Sequence, residues 1–222
     1  HVVHARENVL PKATLQGTVQ HFERRTDAHA VVIDAADDGI ISRPRLWWLD
    51  IDWDKADYAV KAIHNKGLEW TTQKDHPKLW NFTAKTLQAP LKLNGAKMPD
   101  QVTRGEKLMP CLTTPEPKGR PAPDHANASK EAWARRKADG QKYAPWHYED
   151  SAMTTYRDKK YLPDSDLKEQ MHQLPVGYTR KAGAPEDARC TMLANGWHGG
   201  VARLVMFLAI VGSQIELASS MP

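Results

Sequence analysis

Pro115, Pro117, Pro121 and Pro123 all fall between Thr113 and Ala128. Proline lacks an amide hydrogen and its ring clashes with the preceding helical turn, so neither a helix nor a central strand can run through this segment. It marks the centre of an irregular middle with regular stretches on both sides. Residues 1–52 alternate strand and helix, and residues 53–150 are rich in Pro, Lys and isolated Trp (Trp53, Trp70, Trp80, Trp133, Trp146). Residues 151–222 return to helical periodicity.

The first region reads as α/β. An apolar strand begins at Val2-Val3 and ends at Glu7-Asn8-Val9. Leu15, Val19 and Phe22 recur at i, i+4 and i+7, the spacing of one helix face. Ala30 to Ile33 and Leu46 to Ile51 are short runs of β-forming residues. Strand, helix, strand is half of a doubly wound sheet. In the last region, Pro163-Asp164-Ser165-Asp166 opens a helix that Leu174-Pro175 stops, and Val201, Leu204, Val205, Leu208 and Val211 share a helical face.

Charge is uneven. Residues 61–142 hold 16 Lys/Arg against 8 Asp/Glu, a local +8 within a chain of net charge +4. A basic middle between acidic ends suits a polyanion, although a solvated lysine-rich surface has the same composition. The longest apolar run, Leu204 to Val211, is too short to span a bilayer, and no secretory leader pattern is visible. Cys111 and Cys190 give neither a disulfide framework nor metal-ligand spacing, so no metal is expected and a reducing compartment is the default. The start at His1, without Met, points to a fragment or a processed product.

Four segments carry chemistry. Arg6-Glu7-Asn8-Val9 sits at the carboxyl end of a strand, the edge where open α/β sheets bind ligands, and a glutamate there can hydrogen-bond a heterocycle's ring nitrogen and amine. Ser42-Arg43-Pro44-Arg45 enters a strand with two arginines at i and i+2, expected to point to the same side, where a guanidinium can meet a carbonyl or a phosphate. Leu174-Pro175-Val176-Gly177-Tyr178-Thr179 is a helix stop and turn. Asn195-Gly196-Trp197 is a tight turn with a ring to cover an aromatic ligand. Three of them have a plainer reading: a solvated loop glutamate, an exposed basic edge, and a helix C-cap followed by a core Trp.

In this order the segments resemble the DNA (cytosine-5) methyltransferase family. Glu7-Asn8-Val9 matches its E-N-V motif, and Arg43-Pro44-Arg45 its second Q-x-R-x-R element, with Ser42 near the Gln. Leu174 to Thr179 matches its L-P-x-G-Y-T segment, and Leu193 to Val201 its final G-N-S/G-x-x-P-V motif. The form is most similar to the eukaryotic de novo branch and its algal relatives. Ala194 replaces the usual Gly and Gly200 the usual Pro of the last motif. The family's glycine-rich first motif, its acidic ribose ligand and its Pro-Cys nucleophile lie upstream of E-N-V and do not occur in these 222 residues. Met109-Pro110-Cys111-Leu112 contains Pro-Cys out of order, and Cys111 reads as structural or incidental.

The resemblance implies the C-terminal part of a Rossmann-like S-adenosylmethionine-dependent methyltransferase domain, with an irregular target-recognition insertion at 53–150 between catalytic-domain segments at 1–52 and 151–222. It implies methyl transfer from S-adenosylmethionine to carbon 5 of a cytosine flipped out of DNA, after a cysteine thiolate adds at carbon 6. Glu7 would bind ring N3 and the exocyclic amine, Arg45 the base O2, and Arg43 either Glu7 or a phosphate. Asn195, Gly196 and Trp197 would complete the cofactor pocket. The expected partners are DNA and a separate N-terminal half of the same enzyme, with no membrane association. The location is nuclear if the source is eukaryotic and otherwise intracellular. Without nucleophile and first cofactor motif, the chain is expected to be inactive alone. The alternatives are a non-enzymatic DNA-binding remnant and an interaction role inside a larger assembly.

Overall fold

A computed structural model of the chain describes residues 4–10, 16–26, 28–37, 39–64, 68–73, 76–83, 90–115 and 127–213. The expected strand start at Val2-Val3, the helical position Leu15 and most of the proline-rich stretch lie outside these residues. The chain divides into two compact units, the first of residues 1–37, 44–86 and 201–222, the second of residues 38–43 and 87–200.

The first unit is built on a five-stranded sheet. Its strands are β1 (Ala5–Val9), β2 (His29–Asp34), β3 (Pro44–Leu49), β4 (Glu69–Gln73) and β5 (His76–Thr83), in the spatial order β1-β3-β2-β5-β4. β3 runs antiparallel to both β1 and β2, β2 pairs parallel with β5, and β4 returns antiparallel along β5. The sheet is therefore mixed, not the plain parallel half expected from strand-helix-strand order. β1 and β2 are parallel to each other and joined by helix α1 (Gln16–Thr26), but β3 lies between them.

Both faces of β2 and β3 are buried, which explains why Leu46-Trp47-Trp48-Leu49 shows no alternation. Residues opposite in an antiparallel ladder share a face, so Ala30 and Trp48 lie together, as do Val32 and Leu46. That face packs on Val19 of α1, with Phe22 and Trp48 rings 5.7 Å apart. Val31, Ile33, Trp47 and Leu49 fill the opposite face, with Trp47 only 1% exposed. Deleting such a ring costs roughly 3–5 kcal/mol, because the cavity cannot collapse.

The strand expected over Leu46 to Ile51 begins and ends two residues earlier, at Pro44 and Leu49. The cause is Asp52, whose side chain accepts from the Lys55 amide at 3.0 Å and caps helix α2 (Trp53–His64). This helix and the β4–β5 pair extend the first unit to residue 86, so the division into units does not fall at the boundary expected after residue 52. The Asp52 amide also donates to Gly212 O at 2.8 Å. A Cβ on Gly212 would come within 2.9 Å of Ile51 Cβ, so only glycine admits that approach.

The second unit is mainly helical. It contains α3 (Asp100–Thr103), α4 (Lys130–Ala138), the hairpin of β6 (Thr154–Tyr156) and β7 (Lys159–Tyr161), α5 (Ser165–Met171) and α6 (Glu186–Asn195). Ser129 caps α4, and Asp164 caps α5 by accepting from the Leu167 amide at 2.8 Å, as the Pro-Asp-Ser-Asp start predicts. Ala132, Tyr143, Tyr148 and Met153 form a core cluster. Helix α7 (Gly199–Val211), which belongs to the first unit from Val201 on, carries Val201, Leu204, Val205 and Leu208 as buried apolar positions.

Candidate functional site

In the first unit, Glu7 and Arg45 come together. Val9 of β1 lies opposite Arg45 of β3 and Glu7 opposite Trp47, so Glu7 and Arg45 are diagonal neighbours on one face of the ladder. Arg45 Nε stands 3.0 Å from Glu7 Oε1, and the two side chains are 15% and 20% exposed. Arg45 also donates through Nη1 to the carbonyl of Pro44 at 2.9 Å. The result is a carboxylate oriented by a planar cation near a strand end, partly screened from water and still reachable by a ligand.

Arg43 goes elsewhere. It precedes β3, so strand alternation does not govern it, and the expectation that both arginines share a side does not hold for their partners. Arg43 is 4% exposed, and its Nη2 donates to Ala194 O at 2.9 Å and to Gly196 O at 2.8 Å. Its Nη1 contacts Cys111 Sγ at 3.3 Å. The guanidinium thus satisfies carbonyls left over at the end of α6, where the helix dipole favours a cation. This ties Arg43 to the Ala194–Gly196 turn inside the second unit and gives Cys111 a place in the support of Arg43.

Asn195 ends α6, and Gly196 is its C-cap with φ −77° and ψ 164°, ordinary extended backbone. A Cβ on Gly196 would sit 3.0 Å from Met192 O, so close approach, rather than a left-handed turn, favours glycine here. Trp197 is 47% exposed, in contrast to the plainer reading of a core Trp after a helix cap. The same short segment therefore presents an exposed amide side chain and an exposed indole beside a buried arginine.

The helix stop Leu174 to Thr179 is organised around a residue that sequence reading passed over. Glu169, on α5 and 0% exposed, accepts from the amides of Tyr178 at 3.1 Å and Thr179 at 2.8 Å, and also from the Gly177 amide and the Thr179 hydroxyl. Arg189 of α6 donates to the same carboxylate at 2.9 Å and to Asp166 at 2.6 Å. Burial works to raise the Glu169 pKa, but the hydrogen bonds from Thr179 and Arg189 outweigh it and hold the carboxyl below its ordinary value. Hydrogen bonding to Asp166 pushes the Arg189 guanidinium further up. A Glu five residues after the capping Asp164 looks like a solvated helix position, so only the turn that follows it hints at its burial.

Among the described residues no group of His, Cys, Asp and Glu could hold a metal ion, and no helix is long and apolar enough to cross a membrane. No protein-family model matches the chain, and no curated protein matches it.

Proposed function

We propose that the chain is the C-terminal part of a DNA cytosine-5 methyltransferase, working with a separate N-terminal half that supplies the nucleophile and the first cofactor motif. The observation that carries this reading is the Glu7–Arg45 pair at 3.0 Å on adjacent strands. A lone glutamate at a strand end is commonplace, whereas a half-screened carboxylate oriented by a guanidinium is what recognition of an amidine-like base edge needs. Glu7 holds or donates a proton at ring N3 while binding the exocyclic amine. Arg45 orients Glu7 through Nε and brings its positive charge toward the base O2. Arg43 supports the end of α6, in place of the phosphate contact its sequence context suggests.

The exposed Asn195 and Trp197 and the glycine between them fit one wall of a S-adenosylmethionine site, the indole presenting surface to a flat heterocycle. When bound, that cofactor supplies the methyl group. The basic residues of the middle region serve the DNA backbone.

The test is single-turnover methylation of a cytosine-containing duplex, with cofactor and a matching N-terminal half, comparing wild type with Glu7→Gln. Gln keeps size and hydrogen bonding but carries no proton, so the rate is expected to fall on the order of a hundredfold with little change in DNA affinity. An unchanged rate refutes the role of Glu7. Salt-dependent DNA binding with no methylation in any reconstitution favours the non-enzymatic remnant.

A further inference from the structure

We infer that Lys168 and Cys190 form an oxidation-dependent covalent tie, a sulfenamide bond between the lysine nitrogen and the cysteine sulfur, with hydrogen peroxide as oxidant. Lys168 lies on α5 and Cys190 on α6, and they are 7% and 4% exposed. Nζ stands 3.2 Å from Sγ. None of the ion pairs among the described residues involves Lys168; its other close contact is the face of the Tyr143 ring, 5.0 Å from Nζ. Cys190 in turn points its thiol at Glu186 Oε1, 3.6 Å away. A buried lysine beside a thiol and not a carboxylate is an unusual arrangement, because burial ordinarily demands an ionic partner.

The pair opens on a cavity of about 20 Å³, also lined by Thr113, Tyr143, His147 and Met171. A water needs roughly 10–15 Å³ of such space, so one molecule of the size of peroxide fits beside the sulfur. Peroxide transfers one oxygen to Sγ, giving a sulfenic acid and one water. Lys168 Nζ gives up its ammonium proton to solvent, and the nitrogen lone pair then attacks sulfur. The S–N bond forms, the S–O bond breaks, and hydroxide leaves with a proton from nitrogen as a second water. The thiol is oxidised, the peroxide is reduced to two waters, and the protein loses two hydrogens. With the nucleophile already in contact, the second step is intramolecular and outruns further oxidation, for which the cavity would have to admit another peroxide. Cys111 provides an internal contrast: its sulfur meets the guanidinium of Arg43, which is no comparable nucleophile. The bond would fasten α5 to α6, the helices already joined through Glu169 and Arg189, and thiol reductants would release it.

The experiment treats the full chain, as wild type and as Cys111→Ala, with stoichiometric hydrogen peroxide, followed by intact mass and peptide mapping. The expected product in both is lighter by two hydrogens, joins the peptides carrying Lys168 and Cys190, and reverts with dithiothreitol. The Cys111→Ala chain has a single thiol, so there the loss cannot be an internal disulfide. Lys168→Met should abolish the link and leave a sulfenic acid at position 190 that dimedone captures. Should that variant fail to fold, the wild-type peptide map decides alone. A Cys190 that stays reduced, advances to sulfinic acid with the Lys168 peptide unlinked, or pairs with Cys111 overturns the inference.

Discussion

Replacing Glu169 by Gln tests the internal logic of the second unit. The shape is kept, but one carboxylate oxygen becomes an NH2 donor facing groups that are themselves donors. Oε2 accepts from the amides of Gly177 and Tyr178, and Oε1 from the Thr179 amide, the Thr179 hydroxyl and Arg189. Whichever way the amide turns, at least two donors lose their partner, and Arg189 keeps Asp166 but loses a charged neighbour. Breaking one side of a buried ion pair costs about 3–5 kcal/mol, and losing hydrogen bonds to a charged group falls in the same range. For a chain of this size that corresponds to a drop in Tm of roughly 6–20 °C. Because Glu169 titrates lower in the fold than unfolded, its contribution is present above the ordinary Glu pKa of 4.5 and is lost as pH falls through the lowered value. Thermal and urea unfolding, followed by circular dichroism at pH 7 and across the acid range, provide the assay. A cost below about 1 kcal/mol at pH 7, or an acid limb as steep in Glu169→Gln as in wild type, would refute the reasoning. A double-mutant cycle with Arg189→Met isolates the pair, and strong coupling is expected because the two share one network.

Arg43→Met should cost about 2–4 kcal/mol, since it strips a charged donor from buried carbonyls at the end of α6, and should raise amide exchange in that last turn. Burial, with the charge of Lys168 added, lowers His147 to about 4. The folded state therefore favours the neutral ring, and its stabilisation is complete above pH 6.5 and lost as pH falls toward 4; His147→Gln should flatten unfolding free energy across that window. DNA affinity should fall roughly a thousandfold or more between 50 and 200 mM salt if six or more of the middle region's cations meet phosphate, and a flat salt profile in fluorescence anisotropy rejects that contact.

What the sequence disclosed follows from the range of the interactions involved. The β2 and β3 cores, the cap Asp164 and the apolar stripe of α7 are written in neighbouring residues, and local sequence pattern exposes them. The antiparallel insertion of β3 between β1 and β2 is a pairing of distant segments that strand-helix-strand order does not encode. Glu7 and Arg45 were legible individually, but their contact depends on a diagonal register across that unforeseen ladder. Arg43 was misdirected by its spacing from Arg45, because alternation applies only within a strand and Pro44 begins this one. Glu169 and Lys168 were overlooked for one shared reason: charged residues on a short helix look solvated until the tertiary fold closes over them.

The proposed acid stands on β1, an outermost strand of the sheet, and Val9 at its end is 62% exposed. Among the described strands β1 pairs with β3 alone, so that ladder sets the height and direction of Glu7. Local opening of a border strand needs far less free energy than opening an interior one, and its amides should exchange with solvent well before those of β2. The reach and protonation geometry of Glu7 would then depend on how firmly β1 is zipped to its neighbour. A polypeptide that adds alongside its outward edge would tune chemistry through main-chain hydrogen bonds alone, without touching the carboxylate.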